Sequence, residues 1–599
     1  MTIPKKLLAN VGRFGEKPAL FYKEPDFGEW QQVSWNEFGR KVDTLAAYLI
    51  SISLKKGEKV VLLSENRPEW VISDLAILAA GAVTVPVYFT STASQIDHIL
   101  NDCGAEIVLV STIDQLDKLL KTGSSENVRK IILMDAPRSS SAHIYKKVIL
   151  LSDIYASSLA QSTSVYMTEI KERLSELSEE DLASILYTSG TTGPPKGVML
   201  SHKNFLFNAA ACAKVIELSE DDLLLSFLPL SHAFERTAGC YLPLLKGSAI
   251  AYAESIEKIP HNMLELRPTI MVGVPRFYEK TYASILSRLD GQSAYKKRLF
   301  SWGVKTGEAW TRIKAEGRRP AFLLSLKRFI ADKLIFARVR AGMGGRLRFF
   351  VSGGAPLSRE IGGFFDSIGV TILEGYGLTE TSPVITCNTL SHRRAGTVGR
   401  ALPGVEVRIE NDGEIATKGP HVMKGYYNNE KATGEVIKEG WFFTGDIGEI
   451  RDGYLTITDR KKDLIVTAGG KNVAPQSIET VLIADPFINQ IMVYGDGKKF
   501  ISALIVPDMA KLEELARRKK VYYVSMEGLC SDAAIIAFYM DRIDAALKEF
   551  APYEKVRKIA LLWEPFSMDR GEITPTLKVN RKKITGRYRM ELEKLYEDK

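Results

Sequence analysis

The sequence is poor in the residues that build metal centres and cross-links. Its five cysteines (Cys103, Cys212, Cys240, Cys387 and Cys530) are scattered over 599 residues, odd in number, and none forms a Cys-x-x-Cys pair. That spacing speaks against a disulfide framework and a zinc site, and fits a reducing, cytoplasmic setting. Long apolar runs are missing too. No segment offers the ~18 uninterrupted apolar residues of a membrane span. The best candidate, Trp70 to Phe89, contains Asp74 and Pro86 and reads as a buried helix followed by a strand. The N-terminus, Met1-Thr-Ile-Pro-Lys-Lys-Leu-Leu, has no apolar stretch behind its positive charges, which argues against a signal peptide. Zinc-ligand spacing and RNP-like aromatic motifs are both lacking, so nucleic acid is not an expected partner.

What is present is an ordinary globular composition, 45% hydrophobic and 25% charged. The length allows about two to four domains. The net charge of +8 favours phosphorylated ligands or an anionic membrane surface. Apolar, strand-like segments alternate with helix-like ones: Lys59–Ser64, Val83–Tyr88, Ile107–Ser111 and Lys130–Met134. This alternation predicts an α/β fold with parallel sheets covered by helices. The character changes after Asp459-Arg460-Lys461-Lys462-Asp463. We therefore expect a large domain over residues 1–461 and a small α+β domain over 462–599. One further region is distinctive. From Ser287 to Arg348, basic clusters are interleaved with Phe300, Trp302, Trp310, Phe322, Phe329 and Phe336. Two readings stand: a surface that rests on an anionic membrane, or a helical insertion packed on the body with its charges solvated.

The densest chemical signal is Tyr187-Thr-Ser-Gly-Thr-Thr-Gly-Pro-Pro-Lys-Gly197, which follows a short apolar strand. Thr188, Ser189, Gly190, Thr191, Thr192 and Gly193 offer backbone N–H groups and hydroxyls at little steric cost, and Lys196 adds a point charge, as a polyphosphate requires. It is not a Walker A loop, since Gly197 follows Lys196 where Ser or Thr is needed. Further along stand Ser352-Gly-Gly354-Ala355-Pro356-Leu357, Glu374-Gly375-Tyr376-Gly377-Leu-Thr379-Glu380-Thr381, Thr444-Gly-Asp446, Asp459-Arg460-Lys461-Lys462-Asp463, Gly469-Gly470-Lys471-Asn472 and Thr574-Pro-Thr-Leu-Lys578. In this order they resemble the motifs of the adenylate-forming superfamily of acyl-CoA synthetases, adenylation domains and luciferases. The resemblance spans roughly residues 18–584.

The resemblance implies an enzyme that joins a carboxylate to AMP and passes the acyl group to coenzyme A. Tyr376, flanked by Gly375 and Gly377, would lie against adenine, with Gly354, Ala355 and Pro356 beside it and Glu374 opening the segment. Asp446 would accept the ribose hydroxyls, and Arg460 would reach the ribose or a phosphate. Glu380 would hold Mg²⁺, with Thr188, since this ion takes one or two hard protein oxygens plus phosphates and water; Thr379 lies beside them. Lys578 reads alone as part of a solvated basic tail with Arg581, Lys582 and Lys583; within the motif set it becomes the catalytic cation. Leu577 stands where the family often has Gly, as in long-chain members. Lys462 would be the pivot of a mobile small domain, at a position where many relatives carry Asp, and Gly469 and Gly470 would leave room for the pantetheine arm. Leu228-Pro-Leu-Ser-His232-Ala-Phe-Glu-Arg236 and Gly273-Val-Pro-Arg-Phe-Tyr-Glu-Lys280 resemble the long-chain branch. His232 reads either as the neighbour of the acyl carboxylate or as a satisfied structural histidine.

The expected activity is thus a long-chain fatty acid–CoA ligase using ATP, Mg²⁺ and coenzyme A, with medium-chain and aromatic acids left open. A fatty acyl-AMP ligase serving a carrier protein is the alternative. Its hallmark insertion before the hinge is missing between Lys418 and Asp446. Monomer and homodimer both stay open, as does contact with the inner face of a membrane.

Overall fold

The computed structural model describes residues 1–24, 28–136, 147–156, 159–188, 194–567, 570–573 and 579–597. Ser189–Gly193 and Thr574–Lys578 therefore lie outside the described residues.

The expected apolar strands assemble into two large sheets. One has eight strands, in the order Gly425–Tyr426, Lys196–Ser201, Leu182–Thr188, Val83–Val87, Lys59–Leu63, Ile107–Val110, Lys130–Leu133 and Val148–Leu150. Its six strands from Leu182–Thr188 onward pair parallel, while Lys196–Ser201 and Gly425–Tyr426 add an antiparallel edge. Val60 to Leu63 are buried on both faces, as parallel strands covered by helices must be. The helix Pro68–Ala79 starts on a proline, whose missing N–H costs nothing there. From Trp70 to Ala79 every residue is buried, Ser73 and Asp74 included, so the helix lies in the core. The helix Ala93–Cys103 is bounded by a Thr92–Gln95 capping box and by Gly104 at φ 64°.

The second sheet has nine strands, in the order Arg400–Ala401, Val384–Cys387, Thr371–Gly377, Phe349–Ser352, Ile270–Gly273, Leu223–Ser226, Ala249–Tyr252, Pro18–Lys23 and Trp30–Ser34. Its centre is again parallel. A buried ion pair links the two halves. Arg236 pairs with Asp74; it also donates to the Tyr241 hydroxyl at 2.9 Å and to Ser184 at 2.6 Å, and Tyr241 donates to Asp74 at 2.6 Å. Breaking one partner of such a desolvated pair costs about 3–5 kcal/mol. Arg236, within a string read as a substrate loop, is thus a core residue.

Residues 406–460 form a five-stranded antiparallel sheet that ends at the hinge string. Beyond it, Ile488–Tyr494, Ile501–Pro507 and Val556–Leu561 make a three-stranded sheet covered by the helices Pro475–Leu482, Met509–Lys519 and Ala533–Ala546, with a core of its own. This is the expected small α+β domain. It touches the large one where Arg276 forks onto the carbonyl and side chain of Asn489, both at 2.8 Å.

The basic region 287–348 folds as helices, Ala294–Ala315 and Phe322–Ala331, followed by the wide turn Asp332–Phe336. The interleaved aromatics do not share one face. Phe336 is fully buried, and Phe300 and Trp302 pack on the core. Only Phe322 and Phe329 are exposed. All five cysteines are buried and unpaired. Among the described residues, no helix is long and apolar enough to cross a membrane.

Candidate active site

A cavity of about 3020 Å³ lies off the carboxyl ends of the parallel strands of both sheets. Glu65, Tyr88 and Thr188 line it at the ends of three strands of the first sheet. Ala253, Phe227, Val274, Gly353 and Gly377 do so at the ends of five strands of the second. This is where open α/β sheets bind ligands, because the strand ends and their loops form a crevice there. The volume is several times that of a ~300–1,000 Å³ small-molecule pocket, so more than one substrate fits at once.

One part of the cavity is polar and cross-braced. The Tyr376 hydroxyl donates to Asp446 Oδ2 at 2.7 Å, and Arg460 Nε meets Asp446 Oδ1 at 3.2 Å. Burial and the Asp446 carboxylate push the Tyr376 phenol well up, so it stays a donor. The Asp446 amide is in turn held by Thr444 Oγ1 at 3.1 Å. Glu380 Oε1 accepts from the Tyr426 hydroxyl at 2.9 Å, and the Lys196 ammonium sits 4.9 Å from the Tyr426 ring centroid. Burial pushes Glu374 up to about 7, against the pull of the Leu357 amide and Arg359. The space opened by Gly377 is taken by the protein itself: a Cβ there would lie 1.7 Å from the Pro383 carbonyl.

The cavity brings together Thr188, Lys196, His232, Gly354, Ala355, Pro356, Glu374, Gly375, Tyr376, Gly377, Thr379, Glu380, Asp446, Arg460 and Lys462. It does not include Gly469 and Gly470. These lie exposed in the turn between Ile465–Val466 and Asn472–Val473, with open space around both. Ser189, Gly190, Thr191, Thr192, Gly193 and Lys578 lie outside the described residues. Their flanks reach the cavity, through Thr188 and Pro194 on one side and Val579 on the other, where Val579 pairs with Ile573.

His232 is half-buried, and its Nδ1 accepts from the Phe234 amide at 3.2 Å, which leaves the ring proton on Nε2. Below it, Glu235 is fully buried and pushed up to about 8 by that burial, with Ser226 donating to it at 2.6 Å.

Several residues at the site have roles that the sequence did not disclose. Tyr426, in the stretch between Lys418 and Asp446, contacts both Glu380 and Lys196. Arg276 reaches across to the small domain. Lys461 is clamped by Asp412 at 2.6 Å and Glu414 at 2.8 Å, while Glu414 also holds the Gly445 amide. Arg581, read with the solvated tail, forks onto Glu479 at 2.8 and 2.6 Å and lines the cavity.

Away from the polar groups the cavity is apolar, lined by Phe227, Met263, Ile285, Leu289, Leu299 and Met343. The strands Thr371–Gly377 and Ala249–Tyr252 stand four spacings apart in the sheet, or about 19 Å. The cavity thus joins a braced polar end to an apolar chamber.

This architecture and site define a class: the chain belongs to the AMP-binding enzyme family, which matches residues 7–427, and the family's C-terminal domain matches residues 462–599. Enzymes of this family use ATP and coenzyme A. Among its relatives is the long-chain-fatty-acid–CoA ligase FadD15 of Mycobacterium bovis, 37% identical over 96% of this chain and 94% of the relative. The peroxisomal long chain acyl-CoA synthetase 7 of Arabidopsis thaliana is 30% identical over 95% and 82%. Among solved structures, the adenylation domain of a carboxylate reductase from Mycobacterium chelonae superposes with a TM-score of 0.76 at 22% identity, over 100% of this chain and 91% of that one. The anthranilate CoA ligase AuaEII gives 0.72 at 19% identity, over 99% and 98%. These two likenesses speak to the fold.

Proposed function

We propose that the protein is an ATP-dependent long-chain fatty acid–CoA ligase that works through an acyl-adenylate. The observation that carries this reading is one cavity with a hydrogen-bonded polar end and an apolar chamber lined by Phe227, Met263, Ile285, Leu289, Leu299 and Met343. Full-length similarity to long-chain-fatty-acid–CoA ligases supports it.

A fatty acid carboxylate is a poor electrophile. Its oxygen attacks the α-phosphorus of ATP, pyrophosphate leaves toward Thr188 and Lys196, and acyl-AMP remains. The thiol of coenzyme A then attacks the acyl carbon and AMP departs. Tyr376 lies against the adenine, beside Gly354, Ala355 and Pro356, and Asp446 accepts from the ribose. Arg460, already on Asp446, is within reach of the ribose or a phosphate. His232 offers its Nε2 proton to the acyl carboxylate. Lys578 stabilises charge on the phosphoryl oxygens during adenylation. The donor set fits Mg²⁺: a carboxylate and a hydroxyl, Glu380 and Thr188, line one cavity, and this ion takes few protein oxygens when phosphates supply the rest. Bound there, it would neutralise phosphate charge.

The domain boundary falls between Lys461 and Lys462. What supports it is the clamp of Lys461 on Asp412 and Glu414, which ties the chain to the large domain up to that residue. Rotation of the small domain about Lys462 would bring Gly469 and Gly470 to the pantetheine arm for the second step. AMP release with palmitate, with and without coenzyme A, tests the function. Turnover that requires coenzyme A is expected; palmitate-independent or coenzyme A-independent turnover would overturn it.

A further inference from the structure

The helix Ala93–Cys103 meets the cavity with two side chains that take no part in the steps above. Ile96, Ile99, Leu100 and Cys103 are buried on its inner face, packed with strands of the eight-stranded sheet. The capping box at Thr92 and the left-handed Gly104 fix its two ends. His98 and Asp102, four residues apart, share another face. Both line the cavity, as do Tyr187, Thr188, Pro195 and Lys196.

Each of the two grips one flank of the string read as a polyphosphate loop. Asp102 Oδ2 accepts from the Tyr187 hydroxyl. Tyr187 is buried and precedes Thr188 at the end of the strand Leu182–Thr188. On the other flank, His98 Nε2 lies 3.1 Å from the Pro195 carbonyl. A carbonyl only accepts, so Nε2 carries the proton and donates. Pro195 immediately precedes Lys196, which opens the strand Lys196–Ser201. Thr188 and Lys196 stand opposite each other in the strand pair, as do Tyr187 and Gly197. The His98 and Tyr187 rings meet edge to face, with 6.4 Å between centroids. Gly197 leaves room for the tyrosine, since a Cβ there would lie 3.1 Å from Cζ of its ring. The backbone of Asp102 is tied as well: Asn428 Nδ2 donates to its carbonyl at 3.2 Å. A bare carboxylate here would repel the phosphates that Lys196 attracts. The Tyr187 hydroxyl covers one of its oxygens. Burial, and after it the bond to Asp102, push the phenol up, so Tyr187 stays the donor. One capped helix therefore sets the height and separation of both flanks.

We propose that His98 and Asp102 are positioning residues for the β- and γ-phosphates of ATP: they hold Thr188 and Lys196 at the spacing that grips those phosphates and the departing pyrophosphate. This rests on the ATP-dependent reading of the site, but the effect can be measured without turnover. AMP lacks both phosphates. Tyr376 and Asp446, expected at its adenine and ribose, belong to other strands, so AMP should not sense the pair.

Equilibrium binding of ATP, AMP and pyrophosphate to the full chain, with Mg²⁺ present, tests the proposal. His98→Leu removes the donor and Asp102→Ala the acceptor. Each should weaken ATP and pyrophosphate about tenfold, the loss expected for one hydrogen bond, and leave AMP within about twofold. His98→Gln can still donate and Asp102→Asn can still accept, so both should restore most of the ATP affinity. A merely structural role would lower ATP and AMP affinity together. Equal losses for ATP and AMP overturn the proposal. So does unchanged ATP affinity in His98→Leu and Asp102→Ala, or failure of both conservative variants to rescue. Should a truncation fail to fold, Tyr187→Phe removes only the hydroxyl that Asp102 accepts from, and its ATP-to-AMP affinity ratio decides in the same way. Wild-type protein that binds ATP but releases no AMP with palmitate would sink the ligase reading instead, and an ATP-selective loss in the variants would still uphold the role of the pair.

Discussion

The two ends of the cavity are built in opposite ways. At the polar end, Tyr376, Asp446, Arg460, Tyr426 and Lys196 sit on strands and Glu380 in the short turn Thr379–Thr381, and each is tied to another by a hydrogen bond, ion pair or ring contact. At the apolar end, Met263, Ile285, Leu289, Leu299 and Met343 come from three helices and the turn after a fourth, and share only a surface. A hydrogen-bonded site fixes atoms, so one substitution there removes a discrete interaction. An apolar chamber fixes volume, so it tolerates exchange at constant volume and responds to filling. Changes at the first end should therefore register on ATP and the chemical step, and changes at the second on chain length.

The largest effect belongs to Lys578. If it stabilises only the adenylation transition state, Lys578→Ala should slow acyl-AMP formation by at least about a hundredfold, or about 3 kcal/mol. Thioester formation from added acyl-AMP should survive. Single-turnover measurement of each half-reaction decides; equal loss of both would break the assignment. Next comes Lys462→Pro. Proline fixes φ, while the Lys461 clamp on Asp412 and Glu414 stays intact. Adenylation should persist and the coenzyme A step should fall by an order of magnitude or more. Unchanged overall turnover would show that the chain pivots elsewhere.

The same contrast explains what the sequence made legible. The strands Lys59–Leu63, Val83–Val87, Ile107–Val110 and Lys130–Leu133 are short apolar runs separated by helical stretches, and the parallel sheet follows from them. The polar residues of the site lie within compact strings whose order carries the signal. The antiparallel sheet at 406–460 gave little warning: its first strand, Glu406–Ile409, has no buried residue. Arg581 looked like part of a basic tail because its partner, Glu479, is 102 residues away. In the helical insertion, apolar spacing showed that faces exist but not which one meets the body, so buried Phe336 and exposed Phe322 read alike. The acyl chamber was invisible for the same reason, since its lining shares no local string.

The chamber can be tested by filling it. Leu289 is half-buried and lines the apolar end. Leu289→Trp places an indole where chain methylenes would lie, and overpacking of that kind costs about 1–3 kcal/mol. We expect kcat/KM for palmitate to fall about thirtyfold, with a shorter acid spared and the KM for ATP unchanged. Equal losses for long and short acids would place the acyl chain elsewhere.

The smallest effect sharpens the comparison most. Tyr376→Phe keeps the ring and its burial but removes the hydroxyl that donates to Asp446 at 2.7 Å. Asp446 would keep Arg460 on its other oxygen, and a bound ribose would supply further donors, so the carboxylate is not left bare. The loss should therefore lie at the low end for a hydrogen bond to a charged group, about 1.5 kcal/mol, or about tenfold in the KM for ATP. Stacking on adenine depends on the ring and should remain, so kcat for adenylation should hardly move. The chamber shares no hydrogen bond with Tyr376, so the KM for palmitate should stay constant. If it rose in step with that for ATP, the two ends would be coupled through the cavity wall, and the division between an end that fixes atoms and an end that fixes volume would fail.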